Sequence, residues 1–321
     1  MRRGRIWLAG LALFGIVAAS GGAGAEPWIY VSNERANSLT IIDAATDKVV
    51  GRIPVGERPR GVGLSPDGRT VYVALGEEDV IAVVDVASRK VTDRIQAGSD
   101  PETFAVSGDG TRLYASNEDA ATCSVIDTKT HKVIAAVPVG TEPEGVALSP
   151  DGKLVYVTAE TTHTVTVIDT ASLKVVTTIL VGSRPREAAF TPDSRRAFVT
   201  AEIGSVVSVI DVATNKIVST LKLERPDAKP KGVLVHPSGK WAYVANGGAN
   251  EIAVIEVDPP RVAGYIPVGR RPWGLGITAD GKKLYAANGV SDTVSVIDTA
   301  TQKVIATIPV EKGPWGIAVG R

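Results

Sequence analysis

The chain has 321 residues, with 35 Lys+Arg against 35 Asp+Glu, 33 Gly, 19 Pro, five Trp, three His and one Cys. A hydrophobic content of 44% supplies a large core and excludes a disordered chain. Balanced charge argues against a general nucleic-acid or anionic-membrane binder, and a single Cys excludes an internal disulfide, Cys-based zinc sites and iron–sulfur clusters.

The first 25 residues read as an export signal. Arg2, Arg3 and Arg5 form a charged start, Ile6 to Ala19 is apolar but too short for a stable span, and Ala23-Gly24-Ala25 is an A-x-A cleavage site. We expect residues 1–25 to be removed as a signal peptide, leaving a periplasmic or secreted protein with no membrane anchor. Losing three Arg leaves 32 basic residues against 35 acidic, a net charge of −3.

From residue 26 onward one unit recurs. Tyr30-Val-Ser-Asn returns as Tyr72-Val-Ala-Leu, Tyr114-Ala-Ser-Asn, Tyr156-Val-Thr-Ala, Phe198-Val-Thr-Ala, Tyr243-Val-Ala-Asn and Tyr285-Ala-Ala-Asn. Strand-ending acids at Asp43, Asp85, Asp127, Asp169, Asp211, Glu256 and Asp298 keep the same 42-residue step, as do Pro59, Pro101, Pro143, Pro185, Pro230, Pro272 and Pro314. All three series share a single 45-residue step in the same place. Within a unit the hydrophobic period is two, giving strands at 61–65, 70–73, 81–85 and 90–95 with turns between them. Four-stranded repeats of this length are propeller blades. The sequence therefore predicts an all-β, seven-bladed propeller in one domain, 26–321. The chain starts on a second strand and ends on a first strand, Trp315 to Val319. The C-terminal strand should thus complete the N-terminal blade and close the ring.

Most recurring residues have a structural task. The Asp43 series, followed three residues on by Thr or Ser, caps the hairpin between third and fourth strands. Cys123 occupies a register held elsewhere by Leu, Ile or Val and should be a buried hydrophobe. His131, His163 and His236 fall in three different registers and cannot converge on a metal. Function belongs where a register varies chemically while the scaffold repeats. The residue after the blade-opening proline is such a register: Arg60, Glu102, Glu144, Arg186, Lys231, Trp273 and Trp315. The residue before it reads Arg58, Asp100, Glu142, Arg184, Lys229, Arg271 and Gly313. At the end of the second strand lie Glu34, Glu118, Glu160 and Glu202, against Gly76, Gly247 and Gly289. These should ring the channel mouth, with an acidic sector on blades 3 and 4, a basic sector on blades 2, 5, 6 and 7, and two Trp closing the circle. The three extra residues of the long step fall in Glu224–Lys229, on the same face.

These residues resemble the YVTN-repeat β-propellers over essentially the whole mature chain. More narrowly, the chain is similar to the PQQ-dependent-catabolism-associated β-propeller proteins. The motifs that carry this are Tyr30-Val-Ser-Asn-Glu, Asp100-Pro-Glu, Ser116-Asn-Glu-Asp, Glu142-Pro-Glu-Gly, Arg184-Pro-Arg and Pro314-Trp-Gly-Ile-Ala-Val. The resemblance implies a periplasmic accessory protein acting beside quinoprotein oxidation of small alcohols. The tryptophan-docking repeats of quinoprotein dehydrogenases are missing, so we expect no resident cofactor. Two functional classes stay open. The favoured one is a monomeric, non-enzymatic binding module whose mouth holds a small anionic or zwitterionic ligand, or a loop of a partner protein. The other is a lactonase or hydrolase in which two or three of the mouth carboxylates, among Glu102, Glu118, Glu144 and Glu160, hold a divalent metal. Single-stranded nucleic-acid binding ranks last, because the acidic sector interrupts a basic groove.

Overall fold

The computed structural model describes residues 28–320, and the signal-peptide reading of residues 1–25 lies outside them. Twenty-eight strands form seven four-stranded antiparallel sheets, and a three-residue 3-10 turn at Gly76–Glu78 is the one helical element among the described residues. The predicted blade is thus observed, with each first strand beginning at its proline: Pro59–Leu64, Thr70–Leu75, Val80–Asp85 and Lys90–Gln96 make blade 2. Blades 3 to 7 repeat this order from Pro101, Pro143, Pro185, Pro230 and Pro272.

Blade 1 is made from both ends of the chain. Its innermost strand, Pro314–Val319, pairs with Trp28–Asn33 through Ile29 against Val319, Tyr30 against Ala318 and Val31 against Ile317. Backbone bonds from Glu34 N–H to Gly313 O and from Gly320 N–H to Trp28 O extend the seam, each at 2.8 Å. Closure removes the unpaired edges that an open stack would present.

The apolar core lies between blades, where second and third strands bury a residue at nearly every position; Tyr30, Tyr114, Tyr156, Tyr243, Tyr285 and Phe198 are its largest members. Fourth strands expose most of their residues, as outer edges do. The aspartate series does cap hairpins: Asp85, Asp127, Asp169 and Asp298 each accept the N–H three residues on at 2.7 Å. Glu256 departs from the series and binds Arg261 instead, at 2.5 and 2.6 Å.

Two hydrogen-bond devices fix the first strands around the channel. The residue before each opening proline sits in the left-handed region, as at Arg58 (φ +52°) and Arg271 (φ +55°). That uncommon conformation is held from the loop 21 residues upstream, where Asn37 Oδ1 accepts the Arg58 N–H at 3.2 Å and Asn250 Oδ1 that of Arg271 at 2.8 Å. The second device is the hydroxyl of the recurring Tyr-Val-Thr or Tyr-Val-Ser motif. Thr158 Oγ1 accepts Gly145 N–H in its own blade and donates to Arg186 O in the next, and Thr200 does the same for Glu187 N–H and Lys231 O. Neighbouring first strands thus approach backbone to backbone. A Cβ on Gly274 would strike the Trp315 carbonyl oxygen, which is why that register is mostly glycine.

Candidate functional site

The seven residues after the opening prolines form one ring at the top of the channel, from Trp315 on blade 1 through Arg60, Glu102, Glu144, Arg186 and Lys231 to Trp273 on blade 7. The sequence separated acidic from basic sectors, but the structure presses them together. Arg58 reaches Asp100 at 2.5 Å and Glu102 at 2.8 Å, while Arg60 bonds Glu102 and, at 2.8 Å, Glu34. Arg186 bonds Glu144 at 2.6 Å and Glu160, with Glu202 at 3.6 Å. Arg184 binds Glu160 at 2.5 Å, and Lys231 binds Glu202.

A rule across blade boundaries organises these pairs. Where the residue after the proline is a cation, the second strand of the preceding blade ends in glutamate, giving Glu34–Arg60, Glu160–Arg186 and Glu202–Lys231. Where that residue is Trp273 or Trp315, the preceding position is Gly247 or Gly289. Glu118 precedes an acid, Glu144, and is instead 3.9 Å from Arg58.

Pairing buries most of the ring. Glu102 is 0% exposed, Lys231 3%, Arg186 6% and Trp315 9%, and Glu144, Glu160 and Glu202 are buried with them. Arg60, Glu118 and Trp273 stay partly exposed. The ring is therefore a plug across the channel, and what faces solvent is its upper surface. On blades 6, 7 and 1 that surface is aromatic and cationic. The Trp273 ring has Lys231 Nζ at 4.1 Å, the Arg271 guanidinium at 4.9 Å and that of Arg186 at 5.2 Å from its centroid, and Trp315 lies 5.7 Å away. Arg271 is exposed and makes no ion pair among the described residues.

Below the ring is a cavity of about 100 Å³ lined by Glu144, Arg186, Glu187, Lys231, Trp273 and Trp315 above apolar Val62, Val146, Leu275 and Ile317. It has room for roughly three water molecules. Glu187 was missed from sequence, yet the signal was there. The second residue after the proline reads Gly61, Thr103, Gly145, Glu187, Gly232, Gly274 and Gly316, one carboxylate in a glycine register. Its Oε2 accepts the Val233 N–H at 3.2 Å. Burial, with Glu144 adding to it, pushes the Glu187 carboxyl up to about 7. Burial and the neighbouring Arg186 bring the Lys231 ammonium down to about 7, against the bond to Glu202. Burial and Glu144 also raise the Glu102 carboxyl, opposed by Arg60.

Oxygens of Asp100, Glu102 and Glu118 lie within 4.8 Å of one another, the only cluster of metal-ligating type among the described residues. The Arg58 guanidinium already sits among them, so these residues do not fit a divalent ion. Cys123 is fully buried, and burial pushes its thiol up to about 12, as its register implied. The three histidines stay on separate blades: His131 pairs with Asp93, His163 Nδ1 lies 2.8 Å from Glu160 O, and His236 Nε2 lies 3.0 Å from Gly281 O.

The same architecture recurs in solved structures. Hydrazine synthase of Kuenenia stuttgartiensis superposes with a TM-score of 0.79 at 25% identity, covering 89% of this chain and 99% of that one. A protein of unknown function from Desulfotomaculum acetoxidans DSM 771 gives 0.81 at 15% identity, covering 91% and 98%. A candidate 6-phosphogluconolactonase from Bacteroides uniformis ATCC 8492 gives 0.78 at 19%, covering 92% and 100%. No curated protein sequence matches the chain significantly. A seven-bladed lactonase profile matches residues 170–307. A second profile, described as YNCE-like beta-propeller, matches residues 15–106 and 66–196, more than half of the chain. With its seven repeats closed through a shared first blade, the chain belongs to the YNCE-like beta-propeller family.

Proposed function

We propose that this protein is a non-enzymatic binding propeller that holds a small anionic or zwitterionic ligand, or an acidic loop of a partner protein, on its mouth face. The observation that carries the reading is the partly exposed Trp273, flanked by cations, with Arg271 lacking any carboxylate partner among the described residues. A flat or apolar group stacks on Trp273 while its carboxylate or phosphate takes the Arg271 fork. The ring charges of Glu102, Glu144, Glu160, Glu202, Arg60 and Arg186 serve this surface by holding its floor rigid, since each is already paired. The motif resemblance adds the finer proposal, an exported accessory protein beside quinoprotein oxidation of small alcohols, acting as a monomer with no resident cofactor.

Tryptophan fluorescence with benzene-1,3,5-tricarboxylate as probe tests the binding mode. We expect saturable quenching that Trp273→Ala abolishes and Arg271→Glu weakens by about 2 kcal/mol, the scale of a lost charge-assisted bond. Equal binding in wild type and both variants would remove the site from this face. The lactonase profile over residues 170–307 favours a second reading, hydrolysis of a sugar lactone. Turnover of 6-phosphogluconolactone by the purified protein, lost in Glu144→Gln, would establish it in place of the first.

A further inference from the structure

The cavity beneath the ring is lined by Arg186, Glu187, Lys231 and Trp315. Two buried N–H donors there have no acceptor, the Trp315 indole Nε1 and the Arg186 Nε, and both residues line the cavity. Native proteins rarely leave such donors unpaired, and each asks for a bound water or ligand atom. A third donor group is at hand. The Lys231 ammonium carries three protons and has one carboxylate partner, Glu202, with the Trp273 face as its other neighbour. Apolar Val62, Leu275 and Ile317 supply a wall on the side away from these donors.

We propose that this cavity binds one small monocarboxylate of formate or acetate size, its oxygens taking the Trp315 and Arg186 N–H groups and the Lys231 ammonium. Its volume of about 100 Å³ admits that ligand and excludes the aromatic acids suited to the mouth above. Two carboxylates, Glu144 and Glu187, line the same space and set the conditions for binding. Glu144 shares the Arg186 cation with Glu160. Glu187 faces Glu144 and Arg186, while Lys231 faces Glu202, Arg186 and Arg271. Both titrate near neutral pH in the direction that helps an anion as pH falls. From pH 8 to pH 6 Glu187 takes up a proton and Lys231 regains its charge, so the lining becomes more positive by up to about two charges. Anion entry therefore takes up protons.

Calorimetry of sodium acetate against the purified full chain, in buffers of differing ionisation heat, reads both affinity and proton uptake. The expected result is one saturable site at pH 6, at least tenfold weaker at pH 8, with net proton uptake on binding. Trp315→Phe keeps an aromatic ring and removes the N–H along with some volume. It should weaken acetate at pH 6 about fivefold or more in a protein that still unfolds cooperatively. Glu187→Gln should bind at pH 6 and show a smaller loss on going to pH 8. The proposal is overturned if wild type shows no saturable binding up to about 50 mM at either pH, which would leave ordered water in the cavity. It also falls if Trp315→Phe and wild type bind alike. Because acetate is the sole probe, failure of the mouth ligand leaves these outcomes unaffected.

Discussion

Arg186 and Trp273 occupy the same register two blades apart, yet the chain treats them in opposite ways. On blades 2 to 5 every ring charge meets its counter-ion from an adjacent blade or second strand, and Arg186 alone is in reach of Glu144, Glu160 and Glu202. On blades 7 and 1 the ring residues are Trp273 and Trp315, the second strands preceding them end at Gly247 and Gly289 in place of glutamate, and Arg271 keeps its charge unpaired. The first arc spends its charges inward, where desolvation makes pairing obligatory. The second leaves an aromatic and a cation turned outward, where a ligand can use them. A charged register in a repeat protein is thus not by itself a binding surface; its unpaired members are.

Breaking the ring through the chain end should have the largest effect. Removing residues 315–321 takes away Trp315 and the first strand of blade 1, so thermal unfolding should lose cooperativity and the protein should aggregate. A truncated chain that melts like the full one would contradict closure by this strand. Next comes Arg186→Met. It strands Glu144, Glu160 and Glu202 without their shared cation and should cost about 3–5 kcal/mol in denaturant unfolding. Arg271→Glu, in the other arc, should stay within about 0.5 kcal/mol of wild type, as befits an exposed residue. Similar costs for the two would erase the distinction between the arcs.

Glu187 makes the stability of the buried arc depend on pH. Its folded value of about 7 lies above the ordinary carboxylate value of 4.5, so the native state holds its proton longer than the unfolded chain. Stability from this group is present below about pH 4.5 and is lost as pH rises through 7. Glu187→Gln should therefore gain stability relative to wild type between pH 5 and pH 8, by about 2 kcal/mol. Melting curves at the two pH values decide this, and a pH-independent difference would show that Glu187 is not buried as a neutral acid. A small effect is also expected at Cys123→Val, below about 1 kcal/mol, with no thiol labelling of the folded wild type.

Much of this was legible without coordinates. The 42-residue step, the period of two within it and the phase of the two chain ends specified seven blades and their closure, because strand pairing in a propeller is local within each unit. Register alone also identified Cys123 as core and the aspartates as hairpin caps. The same registers gave the ring residues by number, but not Glu187, whose carboxylate in a mostly glycine column was a signal left unread. What could not be read was the meaning of the charges. Glu160 and Arg186 are 26 residues apart and belong to different repeats, and their contact exists only because consecutive first strands lie side by side around the channel. Coulomb and desolvation energies depend on distances and on which atoms are covered, and a one-dimensional repeat carries neither. The repeat specifies the blades, their number and the order of charges around the mouth. Packing of neighbouring first strands around the channel makes those charges neutralise one another inside a plug, and leaves Trp273 and Arg271 for a ligand to find.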